Sequence, residues 1–342
     1  MGERDSSQAD KDAKLTGGIT LVDVAALAGV GESTVSRVLR NHGSFSQATR
    51  DRVMAAVTQL GYVPNRIAGT LASTGSRLVA IIVPSLSNIV FADVLSGAGA
   101  GLESEGYQAV FGVTDYDPAR EEVLIASMLA WRPSAIMVAG LEHTDTAERM
   151  LRASNVRIAE LLDIDGEGID IVVGFSNLEA GRVSARHLLS RGYRRIGYVG
   201  HDLERDRRAG KRLAGFSRAL IDAGITLADQ EMTSAPSSVE IGRMGLEKLL
   251  ERSPDLDAVY FSNDDMAIGG YFHCLSRGIV IPTKLAIFGY NGLNIGTMAP
   301  RPLSTIRTPR VAIGKTAASL VTSDTPSQVV DLGFELIAGA TA

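Results

Sequence analysis

Thr20-Leu-Val-Asp-Val-Ala-Ala-Leu-Ala-Gly-Val-Gly-Glu-Ser-Thr-Val-Ser-Arg-Val-Leu-Arg-Asn41 contains two short helical patterns separated by Gly29. Leu21, Val24, Ala25 and Ala28 recur at helical spacing, and Val35, Val38 and Leu39 supply a second apolar stripe that can face the first. Gly29 provides the positive φ of a tight turn, and the small Ala25 lets the two helices approach closely. The pattern predicts a helix-turn-helix. Its second helix turns Glu32, Ser33, Ser36, Arg37 and Arg40 outward, a short polar and basic face of the kind that enters a major groove. An ordinary surface hairpin is the alternative. The glycine placement and the basic outer face, occurring together, favour the DNA-reading form.

Working outward, His42 to Phe45 reads as a loop ending at Ser46, an N-cap for a helix over Gln47 to Leu60 that closes a small three-helix core through Val53, Ala56, Val57 and Leu60. Gly61 stops that helix, and Pro64 keeps the residue before it extended. Asn65 to Ser73 then has the length of about two helical turns, with Gly69 and Thr70 inside, too short to be stable alone in water. Two readings are open for it. It is a flexible linker, or a hinge helix that orders on DNA and inserts Leu71 into the minor groove.

With 342 residues the chain suits two or three domains. Hydrophobic residues make up 45% and charged residues 21%, a globular balance, and no apolar run reaches the roughly eighteen residues of a membrane span. Residues 1–18 are polar and lack the apolar segment of a secretory signal, which predicts a disordered tail and a cytoplasmic protein. Cys274 is the only cysteine, so an internal disulfide or a cysteine-based zinc site is excluded. The net charge of −5 argues against a nucleic-acid partner until its distribution is examined. Between Thr16 and Arg77, six arginines stand against three acidic residues, so a basic head precedes an acidic body.

From Leu78 onward, short aliphatic runs alternate with helical patterns. Leu78 to Val83, Gln108 to Val113, Ala135 to Val138, Ile158 to Leu162 and Ile171 to Phe175 form one series; Arg195 to Val199, Ala258 to Phe261 and Leu285 to Phe288 form a second. Such runs predict two doubly wound parallel sheets, with ligands bound outside the carboxyl ends of the strands, here in a cleft between two lobes. Arg301 to Pro309 reads as a crossing strand back to the first lobe. The expected domains are a head at 19–64, a hinge or linker at 65–77 and a sensor body at 78–342. Lobe 1 is expected at about 78–175 and 307–322, lobe 2 at about 176–306 and 323–342.

These features together resemble the lactose/galactose repressor (LacI/GalR) family of transcription regulators. The head carries the family pattern in Leu21-Val-Asp-Val-Ala, Ala28-Gly-Val, Thr34-Val-Ser-Arg-Val-Leu39, Thr49-Arg, Val53 and Leu60-Gly-Tyr62 with Pro64-Asn65. The body carries it in Val83-Pro-Ser-Leu-Ser-Asn88, Arg212-Leu-Ala-Gly-Phe216, Asn263-Asp-Asp-Met-Ala267 and Phe288-Gly-Tyr290. Within the family, Phe91-Ala-Asp-Val-Leu95, Ser127-Met-Leu-Ala-Trp131, Asp170 to Asn177 and Asp331-Leu-Gly-Phe334 are similar to the gluconate-type repressors. The resemblance implies a small all-α head with a hinge helix, followed by a two-lobed periplasmic-binding-protein-like α/β core. It implies DNA contacts from Thr20, Glu32, Ser33, Thr34, Ser36, Arg37, Arg40, Asn41, Asn65, Arg66, Ala68 and Leu71. It implies an effector site at Ser85, Asn88, Phe91, Asp163, Phe175, Arg212, Asn263, Asp264 and Asn291, taking a sugar acid such as gluconate. Many sugar-binding members have an aspartate after the Gly-Tyr pair; the neutral Asn291 here can donate to an acid that a carboxylate would repel. Arg212 matches the family's ligand-clamping arginine. No leucine heptad follows Phe334, so a homodimer on a near-palindromic operator is expected.

Other signals carry less. Gly97-Ala-Gly-Ala-Gly101 lies inside a helical pattern and reads as close helix packing, not as a dinucleotide loop. The five histidines show no metal-ligand spacing, and no nucleophile elbow or Walker sequence occurs, so neither an enzyme nor a cofactor is expected. Of Asp264 and Asp265, one is expected to cap a helix and contact the cleft. Two classes of function remain. The first is an operator-binding regulator, released by its effector or, alternatively, dependent on a corepressor. The second is a cytoplasmic sugar-binding protein whose head is an interaction module. Steep salt dependence of operator binding separates them.

Overall fold

The computed structural model describes residues 18–63 and 76–342. Asn65, Arg66, Ala68 and Leu71 of the expected hinge lie outside the described residues, as does the expected tail before Gly18. The chain divides into two compact units, Met1–Thr74 and Gly75–Ala342.

The first unit is built from α1 (Leu21–Ala28), α2 (Glu32–Leu39) and α3 (Gln47–Leu60). Its core is Val24, Ala25, Ala28, Val35, Val38, Val53 and Ala56, the stripes that helical spacing brings to one side. Gly29 takes φ 63° between α1 and α2, and Gly61 takes the same left-handed conformation after α3. At the start of α1 the backbone N–H and hydroxyl of Thr20 both donate to the Asp23 carboxylate, at 2.8 and 2.7 Å. The Ser46 hydroxyl accepts from the Thr49 N–H at 3.2 Å and caps α3.

In the second unit the first lobe is a six-stranded parallel sheet. It contains β1 (Leu78–Val83), β2 (Gln108–Val113), β3 (Ala135–Ala139), β4 (Arg157–Leu161), β5 (Ile171–Gly174) and β11 (Gln328–Asp331), in the order β11-β5-β4-β3-β1-β2. Helices α4 (Ile89–Ser104), α5 (Pro118–Ala130) and α6 (Asp145–Ala153) connect its strands. The second lobe is a four-stranded parallel sheet in the order β7-β6-β8-β9, from β6 (Ile196–His201), β7 (Asp229–Thr233), β8 (Ala258–Phe261) and β9 (Ala286–Phe288). It carries α7 (Asn177–Ser190), α8 (Arg207–Asp222), α9 (Val239–Arg252), α10 (Asp264–Arg277) and the short α11 (Asn294–Thr297). Continuous aliphatic strands such as Val79 to Val83 are buried on both faces, as covered parallel sheets require.

The chain crosses between the lobes three times: between β5 and α7, between β10 (Thr305–Arg307) and α12 (Arg310–Val321), and between β11 and β12 (Glu335–Ile337). Strands β10 and β12 pair antiparallel. Helix α12 returns to pack on α4, where a Cβ on Gly97 would lie 2.1 Å from the Val311 carbonyl oxygen and one on Gly314 would lie 2.0 Å from that of Val94. The glycine run from Gly97 is therefore a backbone-to-backbone packing surface.

Two expectations are corrected. Residues 323–342 do not all belong to lobe 2, because Gln328–Asp331 extends the first sheet beside β5, with Val330 opposite Val173. Strand β7, absent from the sequence reading, is an edge strand whose polar residues alternate between half-buried and exposed, so no aliphatic run marks it.

Candidate functional site

The carboxyl ends of both sheets face a cleft inside the second unit. Its inner compartment is lined from lobe 1 by Asn88, Val90, Phe91, Tyr116, Leu162 and Phe175, and from lobe 2 by Asp206, Arg208, Arg212, Asn263, Tyr290 and Asn291, with Asn177 and Thr308 at the crossings. An outer compartment shares Asn88, Tyr116 and Asp206 and adds Ser85, Ser87, Asp115, His201, Asp202, Arg205, Ser234 to Ser237 and Asp265. The inner cavity measures about 40 Å³ and the outer about 150 Å³. The inner one thus admits a group of carboxyl size, with the rest of a ligand extending outward.

Helix α8 supplies the charge. Arg208 and Arg212 are 9% and 7% exposed. The Arg212 guanidinium lies 4.1 Å over the Tyr290 ring and donates from Nη1 to Asn177 Oδ1 at 3.1 Å. That of Arg208 lies 5.2 Å over the Phe91 ring and faces Asp206 at 3.7 Å. Arg208 Nη1 and Arg212 Nε are buried without a hydrogen-bond partner. Asp206 caps α8 by accepting from the Ala209 N–H at 3.2 Å. Burial alone would raise its pKa, but His201, Arg208 and Arg212 hold the carboxyl far below the ordinary range. Burial and the Asp206 charge push the Tyr116 hydroxyl up to about 12, so it stays a donor at neutral pH. Two cations therefore face one carboxylate in the inner compartment, and each cation keeps an unused N–H.

Most of the expected effector residues come together here. Asn88, Phe91, Phe175, Arg212, Asn263 and Asn291 line the inner compartment, and Ser85 and Asn88 the outer one. Asn291 holds φ 116°, rare for a side-chain-bearing residue, while its N–H donates to the Ile306 carbonyl at 2.8 Å. Asp163 and Asp264 are placed differently from the expectation. Asp163 is fully buried beneath the cleft, taken up by Lys211, Asn177 and the Asp165 N–H. Asp264 is fully buried behind α10, accepting from the Leu293 N–H and the Thr305 hydroxyl, each at 2.7 Å. The cap of α10 is Asn263, which accepts from the Met266 N–H at 3.0 Å, and the neighbouring acid that reaches the cleft is Asp265. Tyr116, Asn177, His201, Asp206, Arg208 and Tyr290 were not anticipated. In the charged run Arg205 to Arg208 only Asp206 and Arg208 are buried while Arg205 and Arg207 stay exposed, a difference visible only in the fold.

In the head, Thr20, Glu32, Ser33, Arg37, Arg40 and Asn41 are exposed, and Thr34 and Ser36 are half-buried on the same helix. Arg37 Nε donates to the Ser33 carbonyl at 3.3 Å, and Asn41, at φ 50°, accepts from Arg50 Nη1 at 2.9 Å. Helix α2 follows Gly31, an N-cap with no side-chain hydrogen bond, whose carbonyl accepts from the Thr34 and Val35 N–H groups at 2.8 and 3.1 Å.

A three-helix head preceding a two-lobed sensor of this topology defines a ligand-responsive transcription regulator. Residues 20–65 match the family model described as bacterial regulatory proteins, lacI family, and residues 76–330 match that of periplasmic binding proteins and the sugar binding domain of the LacI family. The chain is 40% identical over 336 residues to the HTH-type transcriptional regulator GntR of Pseudomonas aeruginosa, covering 96% of this chain and 97% of the relative. Among solved structures, a LacI-family regulator from Silicibacter pomeroyi superposes with a TM-score of 0.91 at 44% identity, covering 94% of this chain and 99% of that one. The lac repressor dimer bound to operator shares the fold, with a TM-score of 0.81 at 24% identity over 95% and 99% of the two chains. The chain belongs to the LacI family: it is a DNA-binding transcriptional regulator and not an enzyme.

Proposed function

We propose that the protein is a repressor of a sugar-acid catabolic operon, released from its operator when an acid such as gluconate enters the cleft. The observation that carries this reading is the pair of buried guanidiniums, Arg208 and Arg212, each with a buried nitrogen that makes no hydrogen bond among the described residues. A buried unsatisfied donor costs about 1–3 kcal/mol, and more when charged, so the cleft favours a ligand that brings acceptors. A carboxylate meets that need, with Asn291 and Asn263 beside it as neutral amides. Its hydroxylated tail then runs past Tyr116 toward Ser85, Ser87, Ser234 and Ser237 in the outer compartment.

The protein works as a cytoplasmic homodimer. Each head sets the helix Glu32–Leu39 in one half-site of a near-palindromic operator, with Thr20, Ser33, Thr34, Ser36, Arg37, Arg40 and Asn41 as the contacting residues. Asn65, Arg66, Ala68 and Leu71 complete the proposed DNA contacts, and effector binding changes the angle between the lobes and so weakens the operator complex. The test is fluorescence anisotropy of labelled operator, titrated with aldonates, neutral sugars and sugar phosphates. Release by an aldonate, lost in Arg212→Ala with operator affinity retained, supports the assignment; release by a neutral sugar and by no acid overturns it.

A further inference from the structure

We propose that Lys211 is a positioning residue for the effector-binding arginine, acting across the lobe boundary through Asp163 and Asn177. The inference rests on the assignment of the cleft as the acid site. Lys211 belongs to α8 in lobe 2, one residue before Arg212, yet its ammonium is spent on lobe 1. It bonds Asp163 Oδ2 and Glu142 Oε1, each at 2.5 Å, and donates to the Asp165 carbonyl at 3.1 Å. The side chain of Asp163 is 0% exposed and that of Lys211 19%, so this is no solvated surface pair.

The second link is Asn177, at the first crossing between the lobes and itself buried. Its Nδ2 donates to the Leu162 carbonyl at 3.0 Å and to Asp163 Oδ1 at 3.2 Å, while its Oδ1 accepts from Arg212 Nη1 at 3.1 Å. A carboxylate only accepts hydrogen bonds, and so does a backbone carbonyl. Their position therefore fixes which end of the Asn177 amide faces lobe 1. The opposite end, the oxygen, is left for Arg212, which only donates. Lys211 closes the logic: it compensates the buried Asp163 charge and holds the carboxylate by Oδ2, and without it the carboxylate could turn its Oδ1 away from the amide. With the amide then free to turn, Arg212 would lose its acceptor. Glu142, Lys211, Asp163, Asn177 and Arg212 thus form one series of charge-assisted contacts from the rim of lobe 1 to the effector-facing guanidinium.

The experiment compares Lys211→Met, Lys211→Arg, Asn177→Ser and the double variant Lys211→Met/Asn177→Ser in the full chain, with D-gluconate as the titrant in calorimetry. Lys211→Met is expected to weaken gluconate binding about tenfold and Lys211→Arg to restore most of it, with thermal midpoints reported alongside. In the Asn177→Ser background, Lys211→Met is expected to add almost nothing, as residues acting in series do. Full additivity, or wild-type affinity in Lys211→Met, overturns the relay. Arg212→Ala separates the two readings: retained gluconate binding in that variant overturns the cleft assignment, whereas lost binding there beside unchanged binding in Lys211→Met overturns only the relay. A ligand-free arm holds even if gluconate does not bind. Spin labels on cysteines in Arg149→Cys/Arg218→Cys, one in each lobe, should give a broader distance distribution when Lys211→Met is added, and an unchanged distribution overturns the proposal.

Discussion

A Cβ placed on Gly181 would stand 1.9 Å from the carbonyl oxygen of Arg212. Helices α7 and α8 touch there backbone to backbone, and the position of the cleft-facing arginine is set by that contact as much as by its side-chain partners. Gly181→Ala must push the helices apart. It should destabilise the protein by about 1–3 kcal/mol, measured by urea unfolding, and weaken effector binding in parallel. Gly99→Ala is the control: nothing lies within 4 Å of its Cβ, and the change should stabilise α4 by about 0.5–1 kcal/mol.

His143 gives the sensor a pH dependence. Its ring lies 2.6 Å from Glu121 and 3.4 Å from Glu160, with the side chain 2% exposed. Burial alone would lower its pKa, but the hydrogen bond to Glu121 and the nearby Glu160 carboxylate push it up to about 9. The folded value exceeds that of the unfolded chain, roughly 6.5, so the stabilisation is complete below that pH and is lost as pH rises toward 9. Unfolding free energy should fall by about 2–3 kcal/mol over this window in the native protein. The slope should be clearly shallower in His143→Gln; equal slopes would show that the histidine does not titrate there.

Asp264 acts in the same sense, at lower pH. Burial pushes its carboxyl up to about 6 although the Leu293 and Tyr290 backbones and Thr305 all hold it in place. The folded protein keeps a proton that the unfolded chain releases, so this group stabilises below about pH 4 and loses that contribution as pH rises through 6. Asp264→Asn should flatten the stability curve between those values while leaving the fold intact by circular dichroism.

On the head, Arg37→Ala and Arg40→Ala test the outer face of α2. An arginine that reads a base edge should cost about 1–3 kcal/mol at the matched operator and relax specificity at one position. One that neutralises a phosphate should weaken all sequences alike and reduce the salt slope by about one. Binding that is unchanged in both variants would remove α2 as the reading helix.

The head was legible in the sequence because its core residues are neighbours along three successive helices, from Val24 to Ala56. The strands of the first lobe were legible wherever burial on both faces forces an aliphatic run, as in Leu78 to Val83. Two of the four edge strands of the parallel sheets were not: Asp229 to Thr233 and Gln328 to Asp331 bury too little to need such a run. In the cleft, Arg212 and Asn291 could be named because they stand in motifs that resemble those of the family. Arg208 and Asp206 could not, because charge beside charge looks solvated until α8 buries it. Asp163 and Asp264 were placed one layer too far out, since a sequence position carries no information on the depth of its side chain.

The three crossings between the lobes restrict what the sensor can report. A body joined through one strand can twist and swing freely, whereas three chains passing the boundary side by side resist torsion and leave bending about a single axis. Closure of the cleft is then expected to run along one mechanical degree of freedom. A ligand that closes the lobes by a given angle delivers the same displacement to the rest of the molecule whichever of its groups made the contact.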